Sequence, residues 1–189
     1  STKREPTRTD IFMGEDNLLS DSLGNAIYSN IKPEEVIDHE IGVRYVGKQG
    51  HIFFNFYRME FKNEIVLNGE TGPNSIALHS NVAESKRSGI ELDIAYDITK
   101  HFNISNNSSY SFNRIKENDI QFKPILSPSL IINQDISYNF KNLSVCLNGR
   151  YQSKSYLDFS NSIELLDFYT LNAIVSYKIK SFILSVRGN

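Results

Sequence analysis

Four histidines, one cysteine and scattered carboxylates are the side chains with reactive potential in this chain. His39, His51, His79 and His101 stand far apart, without the close spacing of a locally built metal site. They read as turn and surface residues. Cys146 is alone, which rules out an internal disulfide framework. A redox or nucleophilic role would need a basic or His partner nearby in space, which a sequence does not show, and Cys146, in the polar phase of a strand pattern, reads as a small bystander. Glu34 and Glu35 follow Pro33 and resemble a carboxylate pair. Adjacent residues of an extended chain point to opposite faces, so they mark the place where the chain leaves a loop. GxSxG, HExxH, CxxC and phosphate-loop patterns are all missing. Sequon-like triplets at Asn103, Asn106, Asn107 and Asn142 are discounted, because a chain rich in Asn and Ser forms them by chance. Nothing here supports an enzyme, and no cofactor is called for. The basic residues are dispersed and the net charge is −2, which argues against a nucleic-acid partner.

The informative residues are those that alternate. From Ile90 to Ile98 every second residue is apolar (Ile90, Leu92, Ile94, Tyr96, Ile98), with Glu91, Asp93, Ala95 and Asp97 between them. The pattern resumes at Phe102, Ile104, Tyr110 and Phe112, against Asn103, Ser105, Asn107, Ser109, Ser111 and Asn113. Such alternation means a sheet with two unlike faces. It leaves open whether the apolar face meets a protein core or lipid.

Eight alternating segments can be laid out, at 36–46, 51–66, 87–98, 102–115, 128–140, 143–155, 166–178 and 182–187. Between them, tight turns at 47–50, 99–101, 141–142 and 178–181 alternate with long loops at 67–86, 116–127 and 156–166. Residues 1–35 form a further irregular polar stretch. Membrane barrels keep short turns on the periplasmic side and long loops outside. The complete segments run roughly eleven to sixteen residues, beyond the usual five or six of globular strands and enough for a tilted bilayer crossing. A mean hydropathy of −0.35 is compatible with this, since half of each barrel strand faces water. No run of eighteen apolar residues exists for a transmembrane helix.

Aromatics in the apolar phase flank every short turn: Tyr45 and Phe53, Tyr96 and Phe102, Tyr138 and Phe140, Tyr177 and Phe182. A second row at the long-loop ends comprises Phe61, Tyr110, Phe112, Tyr151 and Tyr169. Two such rows around an aliphatic band match the interfacial girdles of membrane barrels. The opposite phase includes Asp38, Glu40, Arg44, Glu91, Asp93, Asn133, Asp135, Asn139, Asn148, Arg150, Gln152 and Lys154. It is too polar for a core. Segment 51–66 carries aromatics in both phases. Its odd positions are read as outward, which leaves Phe54 and Phe56 in the lumen; a phase-shifting bulge is the alternative. His39, Asn106 and Ser108 fall in apolar phases without explanation.

With that pattern in place, three stretches resemble the distal barrel of TonB-dependent outer-membrane receptors. REPTRTD (Arg4 to Asp10) is similar to the family's RxP-type segment. IKPEEVIDHEIGVRY (Ile31 to Tyr45) is similar to its LKPE…YELGxxY strand start. NFYRMEFKNEIV (Asn55 to Val66) followed by RSGIELDIAY (Arg87 to Tyr96) resembles the FYxxDYKDxI and GxEL strands, with Met59-Glu60-Phe61 departing from the usual wording. The resemblance implies a barrel of about twenty-two strands filled by a plug. It implies uptake of iron–siderophore complexes, haem, cobalamin or glycans, energised through TonB. The plug, TonB box, early strands and closing strands have no match here, so the chain is expected to be roughly a third of such a barrel.

The expected fold is therefore all-β, an antiparallel up-and-down transmembrane β-barrel, incomplete, spanning 1–189 with 1–35 as an extracellular loop region. It would lie in the Gram-negative outer membrane, with lipid, a small-molecule or chelate ligand, and the TonB complex as partners. Arg44, Glu91, Asp93, Asp135 and Arg150 are the expected lumen-lining residues, and His79, Lys86, Arg87, Arg114, Lys116 and Tyr156 the candidate ligand contacts in the loops. A passive porin and a soluble β-sandwich binding module are the alternatives.

Overall fold

The two-residue period of the sequence becomes one long antiparallel meander. A computed structural model describes residues 1–7, 10–11, 19–20, 26–27, 31–71, 77–117 and 120–189. The main strands are β4 (Glu34–Val46), β5 (Gly50–Thr71), β6 (Ala77–Thr99), β7 (Phe102–Glu117), β9 (Leu130–Phe140), β10 (Leu143–Gln152), β13 (Phe168–Ile179) and β14 (Phe182–Gly188). Sheet order follows chain order, with β1 (Thr2–Arg4) outside β4 and β14 at the far side. The sheet is not closed: β1 and β14 are its edges.

The short turns fall where the sequence places them. Gly47 N–H donates to Gly50 O at 2.8 Å to close the β4–β5 hairpin. Lys141 and Lys180 sit in the left-handed region, at φ 51° and 54°, in two of the other tight turns.

Cross-strand partners share a face, so the register assigns every side chain. Val43 pairs with Phe54, which pairs with Leu92; Ile41 pairs with Phe56, which pairs with Ile90. Phe54 and Phe56 therefore belong to the apolar face. Phe53, paired with Arg44 and Asp93, lies on the polar face with Tyr57 and Phe61. This reverses the phase expected for 51–66 and removes Phe53 and Phe61 from the aromatic girdle. The register is unbroken from Gly50 to Lys62, so no bulge is responsible. Aromatics in both phases make this strand ambiguous on its own, and only its neighbours resolve it. Exposure follows the same assignment: positions 52, 54, 56 and 58 are exposed and Asn55 is buried.

The expected long loop 67–86 is mostly strand. Pairing continues through Leu67–His79 to Thr71–Ala77, making β5 22 and β6 23 residues long. Backbone pairing here survives without clean alternation. Loop 116–127 likewise contains β8 (Ile120–Phe122), folded back on β7, and 156–166 lies within a short pair, β11 (Ser155–Tyr156) with β12 (Glu164–Leu165). The N-terminal stretch is not wholly irregular, since β1 pairs with β4, and β2 (Leu19–Ser20) with β3 (Ala26–Ile27).

Among the described residues no core runs beneath the apolar face. The buried hydrophobic residues among them are Ile65, Val82 and Ile115, whereas Ile41, Val43 and Tyr45 are 71%, 68% and 66% exposed. A soluble sandwich would cover these residues. Asn106 and Ser108 sit on this apolar face but are satisfied locally. Asn106 Nδ2 donates to Gln134 Oε1 at 3.1 Å, and Ser108 Oγ to Asn106 Oδ1 at 2.7 Å. His39 stands opposite Arg58.

Candidate lumen wall and ligand-capture rim

The register brings all five expected lumen residues to one face. A single cross-strand row runs Arg44, Phe53, Asp93, Asn107, Asn133, Arg150, Thr170. Glu91 lies one pair above Asp93, and Asp135 lies in the row below, opposite Asn148 and Ser105.

Hydrogen bonds tie that face into a lattice. His51 Nε2 meets Asp93 Oδ1 at 2.6 Å, and Asn107 Nδ2 donates to Asp93 Oδ2 at 3.3 Å. Asn133 Nδ2 donates to Asn107 O at 3.4 Å and in turn accepts from Arg150 at 3.1 Å. Asn148 Nδ2 donates to Asp135 Oδ1 at 2.5 Å, and Asn55 Nδ2 to Glu91 Oε2 at 3.2 Å. Cys146 lies within the same lattice, its Sγ 3.6 Å from Asn148 Nδ2. Short amides alternating with carboxylates and guanidinium keep the wall polar while pairing Glu91, Asp93, Asp135 and Arg150 each with a neighbour. The pairing of these charges with His51, Asn55, Asn107 and Asn148 escaped the sequence reading, because which residues stand opposite each other depends on register.

At the long-loop end the N-terminal segment docks on the polar face. Arg4 Nε donates to Glu34 Oε1 at 2.7 Å, and Glu34 Oε2 accepts the Ile65 N–H at 2.9 Å. Asn81 clamps Lys32 through both of its backbone groups, at 2.6 and 2.9 Å. Asn63, at φ 54°, lies just before Glu64, whose carboxylate reaches Arg87 at 2.6 Å and also accepts from Ser85 Oγ.

The remaining connections dock on each other. Asn161 accepts the Lys123 N–H at 2.7 Å and donates to Lys123 O at 3.0 Å, and Phe122 packs on Phe159 at 4.8 Å. Asp158 organises its own turn by accepting the Ile163 N–H at 2.7 Å. The Ser160 hydroxyl and the Ile163 N–H hold its carboxyl well below the usual range.

The six candidate ligand contacts do not converge. Arg87 is on the polar face, bound by Glu64. His79 lies 3.5 Å from the Asp10 carboxylate. Tyr156 sits beneath the Lys123 ammonium at 5.8 Å, within the docked loops. Lys86, Arg114 and Lys116 occupy the opposite, outward face: Lys86 pairs with Arg114, and Glu84 with Lys116. Among the described residues no group of His, Cys, Asp and Glu side chains could hold a metal ion.

An open antiparallel meander with long strands, an uncovered apolar face and a hydrogen-bonded polar face is part of the wall of a transmembrane β-barrel. The family profile "TonB dependent receptor-like, beta-barrel" matches residues 4–189, and the chain belongs to that family. No curated protein matches the sequence. Among solved structures it is similar to "Copper transporter OprC" (18% identity, TM-score 0.72, covering 97% of this chain and 28% of that one). It is also similar to the ferric yersiniabactin uptake receptor FyuA from Yersinia pestis (13%, 0.72, 90% and 26%). A third is the siderophore receptor PiuA from Acinetobacter baumannii (22%, 0.66, 88% and 26%). These likenesses establish the fold. The chain spans about a quarter of the length of each.

Proposed function

We propose that the intact protein is an outer-membrane receptor that actively takes up a scarce, large nutrient, an iron–siderophore complex, with energy supplied through TonB. The observation that carries this reading is the polar face. Arg44, Glu91, Asp93, Asp135 and Arg150 share that face, and Glu91, Asp93, Asp135 and Arg150 are already hydrogen-bonded to neighbours. Such a wall tolerates water and a moving plug without trapping either, while the apolar face meets lipid. The docked connections at 120–126 and 155–165, with Tyr156, and the rim residues His79 and Arg87 would contribute to ligand capture. Lys86, Arg114 and Lys116 stand on the opposite face of β6 and β7, where they would reach a ligand only from the outer side of the rim. Family membership and the resemblance to siderophore receptors support the transport class.

The test is uptake by the full-length protein in cells deleted for it, under iron limitation. Uptake of labelled ferric siderophore that needs both the gene and a working TonB system is the expected result. Uptake that persists without TonB, with steady conductance in planar bilayers, would replace this reading with a passive channel. Gene-dependent uptake of copper but not ferric chelates would keep the receptor and change its substrate.

A further inference from the structure

A patch of amides stands where the apolar face meets the middle of the membrane. One cross-strand row on that face runs Ile94, Asn106, Gln134, Gly149, Leu171, and Ser108 adjoins it between Leu92 and Ile132. On β7, Asn106 is four residues from Phe102 and four from Tyr110. With a rise of about 3.4 Å per residue and a tilt of about 40°, it stands roughly 10 Å from either aromatic row. That is the middle of an apolar band about 25 Å tall. Lipid tails offer a polar side chain nothing to bond there, and polar groups at that depth are costly.

The bonds within the patch hold it in place without using it up. Both N–H groups of Gln134 are engaged by backbone carbonyls, Ser105 O at 2.8 Å and Asp135 O at 3.1 Å. Asn106 donates one N–H to Gln134 Oε1, and Ser108 Oγ donates to Asn106 Oδ1. Among the described residues nothing takes the second N–H of Asn106, and the oxygens of Asn106, Ser108 and Gln134 each keep a lone pair to accept with. Gly149, beside Gln134, is a separate signal. A β-carbon there would meet only the Gln134 carbonyl, at 3.8 Å, and the backbone is not left-handed, so nothing within the chain requires glycine. A glycine inside a strand weakens it and often marks a place where another chain approaches closely.

We propose that this patch is the centre of a two-fold interface between two copies of the receptor within the membrane, resting on the reading that the apolar face meets lipid. Amides suit a second copy because each carries both a donor and an acceptor. About a two-fold axis a surface meets itself, so the second Asn106 N–H of each copy can donate to a Gln134 or Ser108 oxygen of the other. The rows of Asn106 and Ser108 carry no charged side chain on this face, so a partner recognised through charge has nothing to grip. The notch at Gly149 lets the two sheets approach, and Ile104, Ile132, Ile136 and Leu147 surround the amides with aliphatic contact.

The experiment uses the full-length receptor, first in intact outer membranes and then in mild detergent. In membranes, a short bifunctional thiol crosslinker should join two copies of I132C into a product of twice the receptor's mass. L184C lies on the same face but on β14, four strands from β7, and should give no such product. Neither should the parent, whose Cys146 is on the polar face. In detergent, sedimentation should show N106L/Q134L dimers dissociating at least about tenfold more readily than the parent's. G149L should also weaken the dimer by filling the notch, whereas V175L, on the same face away from the patch, should change nothing. Heat-modifiable gel mobility checks that each barrel folds. A parent that sediments as a monomer and gives no I132C product overturns the proposal, as does equal dimerisation by N106L/Q134L. An I132C product of another mass would put a different protein on this face and overturn it too. A protein that stays monodisperse without detergent would instead overturn the membrane reading itself.

Discussion

Replacing Phe54 or its neighbour Phe53 with arginine tests the face assignment directly. Phe54 sits on the apolar face in the row Val43, Phe54, Leu92, Ser108, between the row of Tyr45 and the row of Tyr110. An arginine on the lipid face costs about 2–4 kcal/mol near the bilayer midplane, a loss of about thirty-fold to several-hundred-fold in the folding equilibrium. Phe53 sits on the polar face between Arg44 and Asp93. An arginine there stays hydrated and gains Asp93, so F53R should lie within about 1 kcal/mol of the parent. Urea titration of the full-length receptor in phospholipid vesicles, followed by far-ultraviolet circular dichroism, reads the difference as a shifted midpoint at unchanged slope. A costly F53R beside a neutral F54R would refute the assignment and restore the phase expected from the sequence.

Other substitutions probe the wall and the loops. Gly89 lies against Tyr57: a β-carbon there would meet Tyr57 Oη at 2.6 Å and the Tyr110 carbonyl at 2.7 Å. G89A should therefore lose about 1–3 kcal/mol in the same titration. Removing Arg87 strands Glu64, whose side chain is only 11% exposed, so R87Q should cost about 3–5 kcal/mol. R58Q, breaking a pair that is 54% and 43% exposed, should cost under about 1 kcal/mol. N161A removes both hydrogen bonds to the Lys123 backbone and places alanine at φ 54°; limited proteolysis should then cut the 120–126 and 155–165 segments sooner than in the parent. Asp158 binds its proton less readily in the folded turn than in the unfolded chain. Its contribution is thus complete above pH about 4 and lost as pH falls below the ordinary carboxylate range. Amide exchange at Ile163 should show protection that persists to acid, and D158N should remove that pH dependence.

Ile90 to Ile98 carried enough information to define two faces, because a period of two survives wherever one side meets lipid and the other water. The same chemistry made Tyr45, Tyr96, Tyr138 and Tyr177 legible as boundary residues beside short turns. Arg44, Glu91, Asp93, Asp135 and Arg150 were legible as one face for the same reason. Segment 51–66 was not, since Phe53, Phe54 and Phe56 fit either side and only pairing with Val43 and Leu92 chooses. Hydrophobic pattern also hid the extension of β5 and β6 to Thr71 and Ala77, because strands that outrun the membrane have water on both faces and no reason to alternate. Tertiary structure alone decided which side chains meet across strands. It joined His51 to Asp93 and Arg150 to Asn133, and placed Lys86 and Arg114 on the face opposite the polar one. A sequence records which residues share a strand face, whereas contact across strands depends on register, which is set by the neighbouring strands together.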